Sequence, residues 1–99
     1  MSIAFLRSNM PQAIVDPGEL RRFAHTLKKF NADMQHGMNV LHGQLAALGD
    51  TWRDLEHQKF REEFEETLRV VSRFVAACEL HIPFLLRKAE RVEDYLAQR

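Results

Sequence analysis

Histidine and carboxylate side chains are the residues of this sequence that could bind a metal ion. A di-iron helical bundle combines inward-facing carboxylates with Glu-x-x-His pairs, and this chain offers only Asp33-x-x-His36 and Asp54-x-x-His57. No carboxylate stands on the apolar face of the first helical segment to complete such a cage. We therefore expect no metal site and no cofactor. The five histidines are His25, His36, His42, His57 and His81.

Cys78, the single cysteine, is the candidate nucleophile. It follows two alanines on an apolar helical face, where a buried thiol behaves as a small hydrophobic side chain. One cysteine forms neither an internal disulfide nor a Cys-x-x-Cys zinc site. The sequence also has no glycine-rich phosphate loop and no serine-centred nucleophile elbow. These observations predict a protein that is not an enzyme.

The length and the net charge of the chain exclude further classes of protein. At 99 residues the chain forms one domain at most. Fourteen basic and fourteen acidic residues cancel, which argues against a nucleic-acid partner. The longest apolar runs are four or five residues, too short to insert into a membrane. Without a basic, apolar leader at the N-terminus, we expect a cytoplasmic protein, or one secreted without a signal peptide.

The first helix is predicted at about residues 17–48. Asp16 suits the N-cap, Pro17 the first helical position and Glu19 the third. Downstream core positions recur in alternating steps of four and three residues, the repeat of helices that pack lengthwise. Only Asn31 interrupts this apolar series. The series is Leu20, Ala24, Leu27, Asn31, Met34, Met38, Leu41, Leu45 and Leu48.

A tight turn at residues 49–51 is predicted to follow this helix. Gly49 can close the helix in the left-handed conformation. Thr51 and Asp54 then form a Thr-x-x-Asp pattern, close to a capping box, at the start of the next helix. Because so few residues separate the two helices, we expect them to be antiparallel neighbours.

The second helix is predicted at about residues 52–98. Its core positions keep their register across Pro83, so we expect a kinked continuation there instead of two helices. These positions are Trp52, Phe60, Phe64, Leu68, Val71, Val75, Cys78, Ile82, Leu85, Ala89, Val92 and Leu96. If the two helices pair residue by residue about a turn near residue 50, Pro17 lies opposite Pro83. Residues 84–98 should then overhang, extending beyond the start of the first helix.

Residues 1–15 are predicted to form an N-terminal arm ahead of a hairpin domain at 16–99. The arm offers apolar side chains that could cover the overhang: Ile3, Phe5, Leu6, Met10, Ile14 and Val15. A hairpin alone has a thin core, and further apolar residues widen its face. The candidate interface residues are Phe23, Phe30, Phe64, Phe74 and Leu86. They favour an all-α four-helix bundle made by two hairpins; the alternative is a monomer whose tail folds back as a third helix.

Two local features leave a functional and a structural interpretation open. Residues 53–66 carry three basic and six acidic side chains, which suit either a solvated face or a docking patch for a basic partner. Trp52 has a large apolar body that is costly to leave in water. It could plug the end of the bundle or anchor a partner.

The segment Leu48-Gly-Asp-Thr-Trp-Arg-Asp54, followed by Phe60, resembles the turn of the WXG family of type VII secretion systems. Members are small helical hairpins of about this length, with Trp-x-Gly between the helices and often an aromatic residue some eight positions later. Trp52 and Phe60 match that pattern. Asp54 stands where the family has glycine, a change that the fold tolerates if Asp54 instead caps the second helix. Many exported members also carry Tyr-x-x-x-Asp/Glu after the second helix; here Tyr95 is followed four positions later by Arg99.

The resemblance implies a dimerising hairpin that is an exported substrate or accessory partner of a type VII-like secretion system. Its partners would be a second copy or a WXG-like heterodimer mate, with a secretion ATPase or a toxin as further candidates. The resemblance also implies the residues of the turn motif and of partner recognition, which are Trp52, Asp54, Phe60 and Tyr95. The alternative function is an intracellular adaptor or chaperone for a larger toxin or scaffold protein, and Arg99 is the residue that favours it.

Overall fold

Two long helices make an elongated hairpin in the computed structural model, which describes residues 15–98. Helix α1 spans Pro17–Leu48 and helix α2 spans Leu55–Ala97, and the described residues contain no strand. The hairpin measures 68 × 28 × 14 Å. The predicted all-α hairpin is therefore confirmed. Neither helix is apolar over a length that could cross a membrane, within residues 15–98.

The start of α1 is fixed by its capping residues. The Asp16 side chain accepts a hydrogen bond of 2.9 Å from the backbone N–H of Gly18, and Pro17 occupies the first helical position. An extended Asp16 with a bonded carboxylate satisfies one of the backbone donors that a helix start leaves free. The helix then continues without a break through Gly37 and Gly43.

The turn is longer than predicted and uses different backbone geometry. Gly49 has φ −62° and ψ −17°, which is right-handed, so the predicted left-handed closure is wrong. The Leu48 carbonyl instead accepts hydrogen bonds from the N–H groups of Thr51 and Trp52, at 3.1 and 2.8 Å. Asp54, not Thr51, caps α2, because its carboxylate accepts from the His57 N–H at 3.0 Å. Helix α2 consequently begins at Leu55.

Helix α2 passes through Pro83 without interruption and ends at Ala97. Register across the proline predicted this continuity correctly. Because α2 is one helix to Ala97, the alternative of a tail folded back as a third helix is wrong for the described residues. The buried hydrophobic residues belong to the predicted core positions of both helices. They are Ala24 and Leu45 on α1, and Val75, Cys78, Ile82, Ala89 and Val92 on α2.

The pairing of the helices extends further than predicted. Arg21, in the second turn of α1, binds Glu93 through two hydrogen bonds of 2.7 and 2.8 Å. The predicted overhang of residues 84–98 is therefore wrong up to Glu93. The six-residue turn at 49–54 moves the pivot toward α2. Side chains also lean toward the N-terminus of their own helix, so α1 residues reach α2 residues further from the turn. Residues 1–14, which carry most of the predicted covering arm, lie outside the described residues.

Candidate functional site

The histidine and carboxylate pairs weighed as metal ligands make other contacts. Asp33 accepts a hydrogen bond from Lys29 at 3.2 Å, one turn away on α1. Asp54 is engaged as the cap of α2. In the part of the chain that the structure describes, no three His, Cys, Asp or Glu side chains come together around a common point. Cys78 is buried between the helices.

One flank of the hairpin is rich in exposed aromatic side chains. Phe30 of α1 and Phe74 of α2 meet edge to face with ring centroids 6.3 Å apart, yet they remain 41% and 54% exposed. Phe23 lies one heptad before Phe30, on the same face of α1, and is 58% exposed. We call this surface the aromatic flank. It comprises Phe23, Phe30, Leu41, Leu48, Phe60 and Phe74.

The aromatic flank continues to the turn as a shallow groove. Leu41 and Leu48 of α1 face Phe60 and Phe64 of α2 across a cavity of about 280 Å³. The rings of Phe60 and Phe64 stack with centroids 5.6 Å apart and an interplanar angle of 16°. A stripe of exposed apolar side chains along both helices is a surface suited to protein association.

Trp52 packs over the turn and is half-buried. Its ring lies 4.9 Å from the ring of His57 and 5.8 Å from that of Phe60, measured between centroids. His57 is buried beneath it, and the Nε2 atom of His57 has no hydrogen-bond partner among the described residues. A Cβ on Gly49 would lie 3.4 Å from the His57 ring, which is van der Waals contact, so the ring lies close to the end of α1. Both interpretations of Trp52 keep support, since it closes the turn and still presents ring surface.

Leu86 does not lie with the other candidate interface residues. It lines a groove on the opposite flank together with Arg21, His25 and Lys28. Phe74 and Leu86 are twelve residues apart, which places them about 120° apart around α2. Apolar residue type alone did not distinguish the two flanks. We call the second surface the polar flank; the residues of its grooves include Arg21, His25, Lys28, Gln35, Glu65, Arg69, Ser72 and Glu79.

Asn31 is the largest fully buried side chain within residues 15–98, at 2% exposure. Its Nδ2 donates to Glu79 Oε2 at 2.9 Å, whereas its Oδ1 has no partner within residues 15–98. The sequence signal for this site was present, because Asn31 was the one polar residue in the core series of α1. Its pairing with Glu79 was missed, since Glu79 lies outside the core series of α2.

The open end of the hairpin carries the ion pair between Arg21 and Glu93. Its hydrogen bond from the guanidinium lowers the pKa of the Glu93 carboxyl below its usual value, because the bond favours the charged form. The same contact raises the pKa of Arg21. Tyr95, half a turn further along α2, remains exposed and contributes nothing to the buried core.

Comparisons with known proteins agree with this architecture. A family model described as "Proteins of 100 residues with WXG" matches residues 12–95. Two crystal structures of the secreted protein EsxB from Bacillus anthracis strain Sterne are similar to the hairpin. A point-mutant form has a TM-score of 0.77 at 27% identity, covering 86% of this chain and 96% of that chain. The wild-type form has a TM-score of 0.73 at 27% identity, covering 83% and 88%. The sequence matches none of the curated proteins with which it was compared.

Proposed function

The chain belongs to the WXG100 family, and from that premise we propose that it is a non-enzymatic recognition protein of a type VII-like secretion system, either an exported substrate or an accessory partner. The observation that carries the proposal is the exposed aromatic flank on a hairpin that resembles EsxB, a protein described as secreted. A protein that works by recognition needs an exposed surface of this kind more than it needs a pocket.

A second hairpin covers the aromatic flank in this proposal, and the pair forms a four-helix bundle. Phe23, Phe30 and Phe74 supply the centre of the interface, where aromatic side chains contribute most to binding. Phe64 supports the interface from its half-buried position near the turn. Leu86 is left out, because it lies on the polar flank. The second hairpin is another copy of this chain or a WXG-like mate.

Charge supports an antiparallel arrangement of two copies. Residues 53–66, beside the turn, carry three basic and six acidic side chains and so have a net charge of −3. Residues 21–29, near the open end, carry four basic side chains and no acidic one. These segments lie toward opposite ends of a hairpin that is 68 Å long. Antiparallel copies place each acidic segment toward the basic segment of its mate, which favours encounter in this orientation.

Trp52 and Tyr95 are the proposed contacts with the secretion apparatus. Trp52 lies at the turn, and Tyr95 lies near the C-terminal end of α2. In an antiparallel pair, the turn of one copy comes near the open end of the other. Phe60 supports the Trp52 ring from below, and Asp54 fixes the start of α2. A secretion ATPase or a toxin of the same system is the kind of protein that these residues would contact.

Export from the native host tests the proposal. Trp52→Ala and Tyr95→Ala should each lower the amount of protein in the culture medium while cell-associated protein persists and helical content, measured by circular dichroism, stays near wild type. Leu55→Ala is the matched control for the turn, because Leu55 is an exposed apolar residue three positions away. Normal export of both variants would contradict the proposed recognition. Unfolding of either would assign that residue to the core.

The second candidate function is an intracellular adaptor or chaperone for a larger toxin or scaffold protein. Arg99 favours it, because it has the opposite charge to the acidic residue that many exported members carry four positions after the tyrosine. Secretion separates the two functions. Wild-type protein that accumulates in the medium without cell lysis supports export, and protein retained in the cell with a bound partner supports the adaptor.

A further inference from the structure

The outer face of α2 carries a stripe of exposed residues that recurs every seven positions. We call it the outer stripe; it consists of Glu63, Val70, Ala77, Phe84 and Arg91. A repeat of seven keeps these side chains on one side of a helix. Ala77, at the centre, lies about 60° around α2 from Phe74, on the side away from α1. The outer stripe is therefore a surface separate from the centre of the aromatic flank.

The middle of the outer stripe is apolar. Val70 and Phe84 are 52% and 56% exposed, and Ala77 stands midway between them on the same face. Apolar side chains at this repeat are typical of helices that pack along one another. Because these three residues lie on an outer face of the hairpin, they suit contact with a helix of another molecule.

The two ends of the outer stripe carry opposite charges. Residues 62–66, around Glu63, include four acidic side chains and no basic one, whereas residues 87–91 include three basic side chains and one acidic. Within residues 15–98, neither Glu63 nor Arg91 forms an ion pair. The charge order along α2 is thus acidic, apolar and basic. A helix with the same order that runs in the opposite direction complements both ends.

We propose that the outer stripe binds the outer stripe of a second copy, with the two α2 helices antiparallel and Ala77 on the two-fold axis. Glu63 and Arg91 each stand fourteen positions from Ala77, so each faces the other across the axis. Val70 and Phe84 each stand seven positions from Ala77 and meet in the same way. One surface that matches itself is what a two-fold contact between identical chains requires. This contact goes beyond the pairing of hairpins through the aromatic flank and does not depend on it.

A disulfide trap on the two-fold axis tests the contact in the full-length chain. Exposed ion pairs contribute little to stability, so we expect a transient contact and an average mass set by the aromatic flank. Under copper–phenanthroline oxidation at low salt, Ala77→Cys should crosslink about tenfold faster than Ala76→Cys, because thiols at the axis meet at a raised effective concentration. Ala76 is the matched control, being an exposed alanine about 100° further around α2. The native Cys78 is buried in both variants.

Charge reversal tests the orientation of the two copies. In the Ala77→Cys background, Glu63→Arg and Arg91→Glu should each slow crosslinking about fivefold at low salt, because like charges then face each other. Combining the two changes restores opposite charges and should return the rate to that of Ala77→Cys alone. Phe30→Ala, which weakens the aromatic flank on α1, should leave the ratio of the Ala77→Cys rate to the Ala76→Cys rate unchanged. Circular dichroism of each variant checks that it remains helical.

Three results would overturn the contact between outer stripes. The first is equal crosslinking of Ala77→Cys and Ala76→Cys in variants that remain helical. The second is a double charge variant that crosslinks as slowly as the single ones, since the antiparallel alignment would then be wrong. The third is loss of the crosslink with Phe30→Ala, which would assign the contact to the aromatic flank. Failure of the aromatic flank itself shows in the mass of the chain, so the two interfaces fail separately.

Discussion

Phe30 and Phe74 lie on different helices, with their ring centroids 6.3 Å apart and their planes at 87°. Such an edge-to-face pair is worth about 0.5–1.5 kcal/mol beyond the area that it buries. The pair thus joins the middle of α1 to the middle of α2. More than two fifths of each side chain nevertheless remains exposed. The same two residues therefore contribute to the hairpin and form the centre of the surface proposed to bind a second hairpin.

Asn31→Asp is expected to destabilise the protein by about 3 kcal/mol at neutral pH, because it buries a carboxylate beside the Glu79 carboxylate. The substitution also removes the Nδ2 donor that now binds Glu79. As the pH falls, protonation of the new carboxyl should recover part of the loss. Urea unfolding at neutral and acidic pH measures both effects. Asn39→Asp, at an exposed position of α1, is the control; equal losses for the two variants would contradict the burial of Asn31 beside Glu79.

The ion pair between Arg21 and Glu93 should make stability depend on pH. The folded pKa of Glu93 is lowered below its usual 4.5, mainly by the hydrogen bond from Arg21. Its contribution to stability is therefore fully present above the usual glutamate range and is lost as the pH falls through the lowered value. A double-mutant cycle with Arg21→Ala and Glu93→Ala should show favourable coupling at neutral pH and low salt. The coupling should vanish in strong acid and weaken at high salt. A coupling energy that does not change with pH would contradict the ion pair.

Both helices were predicted well because local sequence signals mark where they start and how far they continue. Asp16, Pro17 and Glu19 mark the start of α1, and the alternating core positions run unbroken through Pro83. The pairing of the helices was predicted less well, since it depends on the length of the turn and on the direction in which side chains lean. Thus the contact of Arg21 with Glu93 was missed although each helix was expected.

The site was predicted only in part for a similar reason. An apolar side chain favours burial, and residue type alone predicts that much. The flank on which the side chain lies depends on how the whole helix is rotated against its neighbour. Phe23, Phe30 and Phe74 share a flank, and Leu86 does not. The burial of His57 beneath Trp52 was also missed, because the second helix was expected to begin near residue 52, whereas Asp54 caps it and Trp52 lies in the turn.

Two glycines should respond differently to alanine. A Cβ on Gly43 would meet nothing within 4 Å, so Gly43→Ala should stabilise α1 by roughly 1 kcal/mol through helix propensity. A Cβ on Gly49 would lie 3.3 Å from the Ala46 carbonyl oxygen and 3.4 Å from the His57 ring. The contact with the Ala46 carbonyl is tighter than an ordinary one, so crowding there should cancel the gain. Urea midpoints of the two variants measure this; an equal gain at both glycines would contradict crowding against the Ala46 carbonyl.

Sedimentation equilibrium of the wild-type chain and of the Phe30→Ala/Phe74→Ala variant tests the aromatic flank most directly. The wild type should approach twice the chain mass of 11.6 kDa at high concentration. Each phenylalanine should contribute on the order of 2 kcal/mol to association, so the double variant should dissociate to the single-chain mass while remaining helical. Leu80→Ala, which truncates a more exposed apolar residue on an outer face of α2, should stay associated. A wild-type chain of single mass at every concentration, or a double variant that associates like Leu80→Ala, would contradict a second hairpin on this flank.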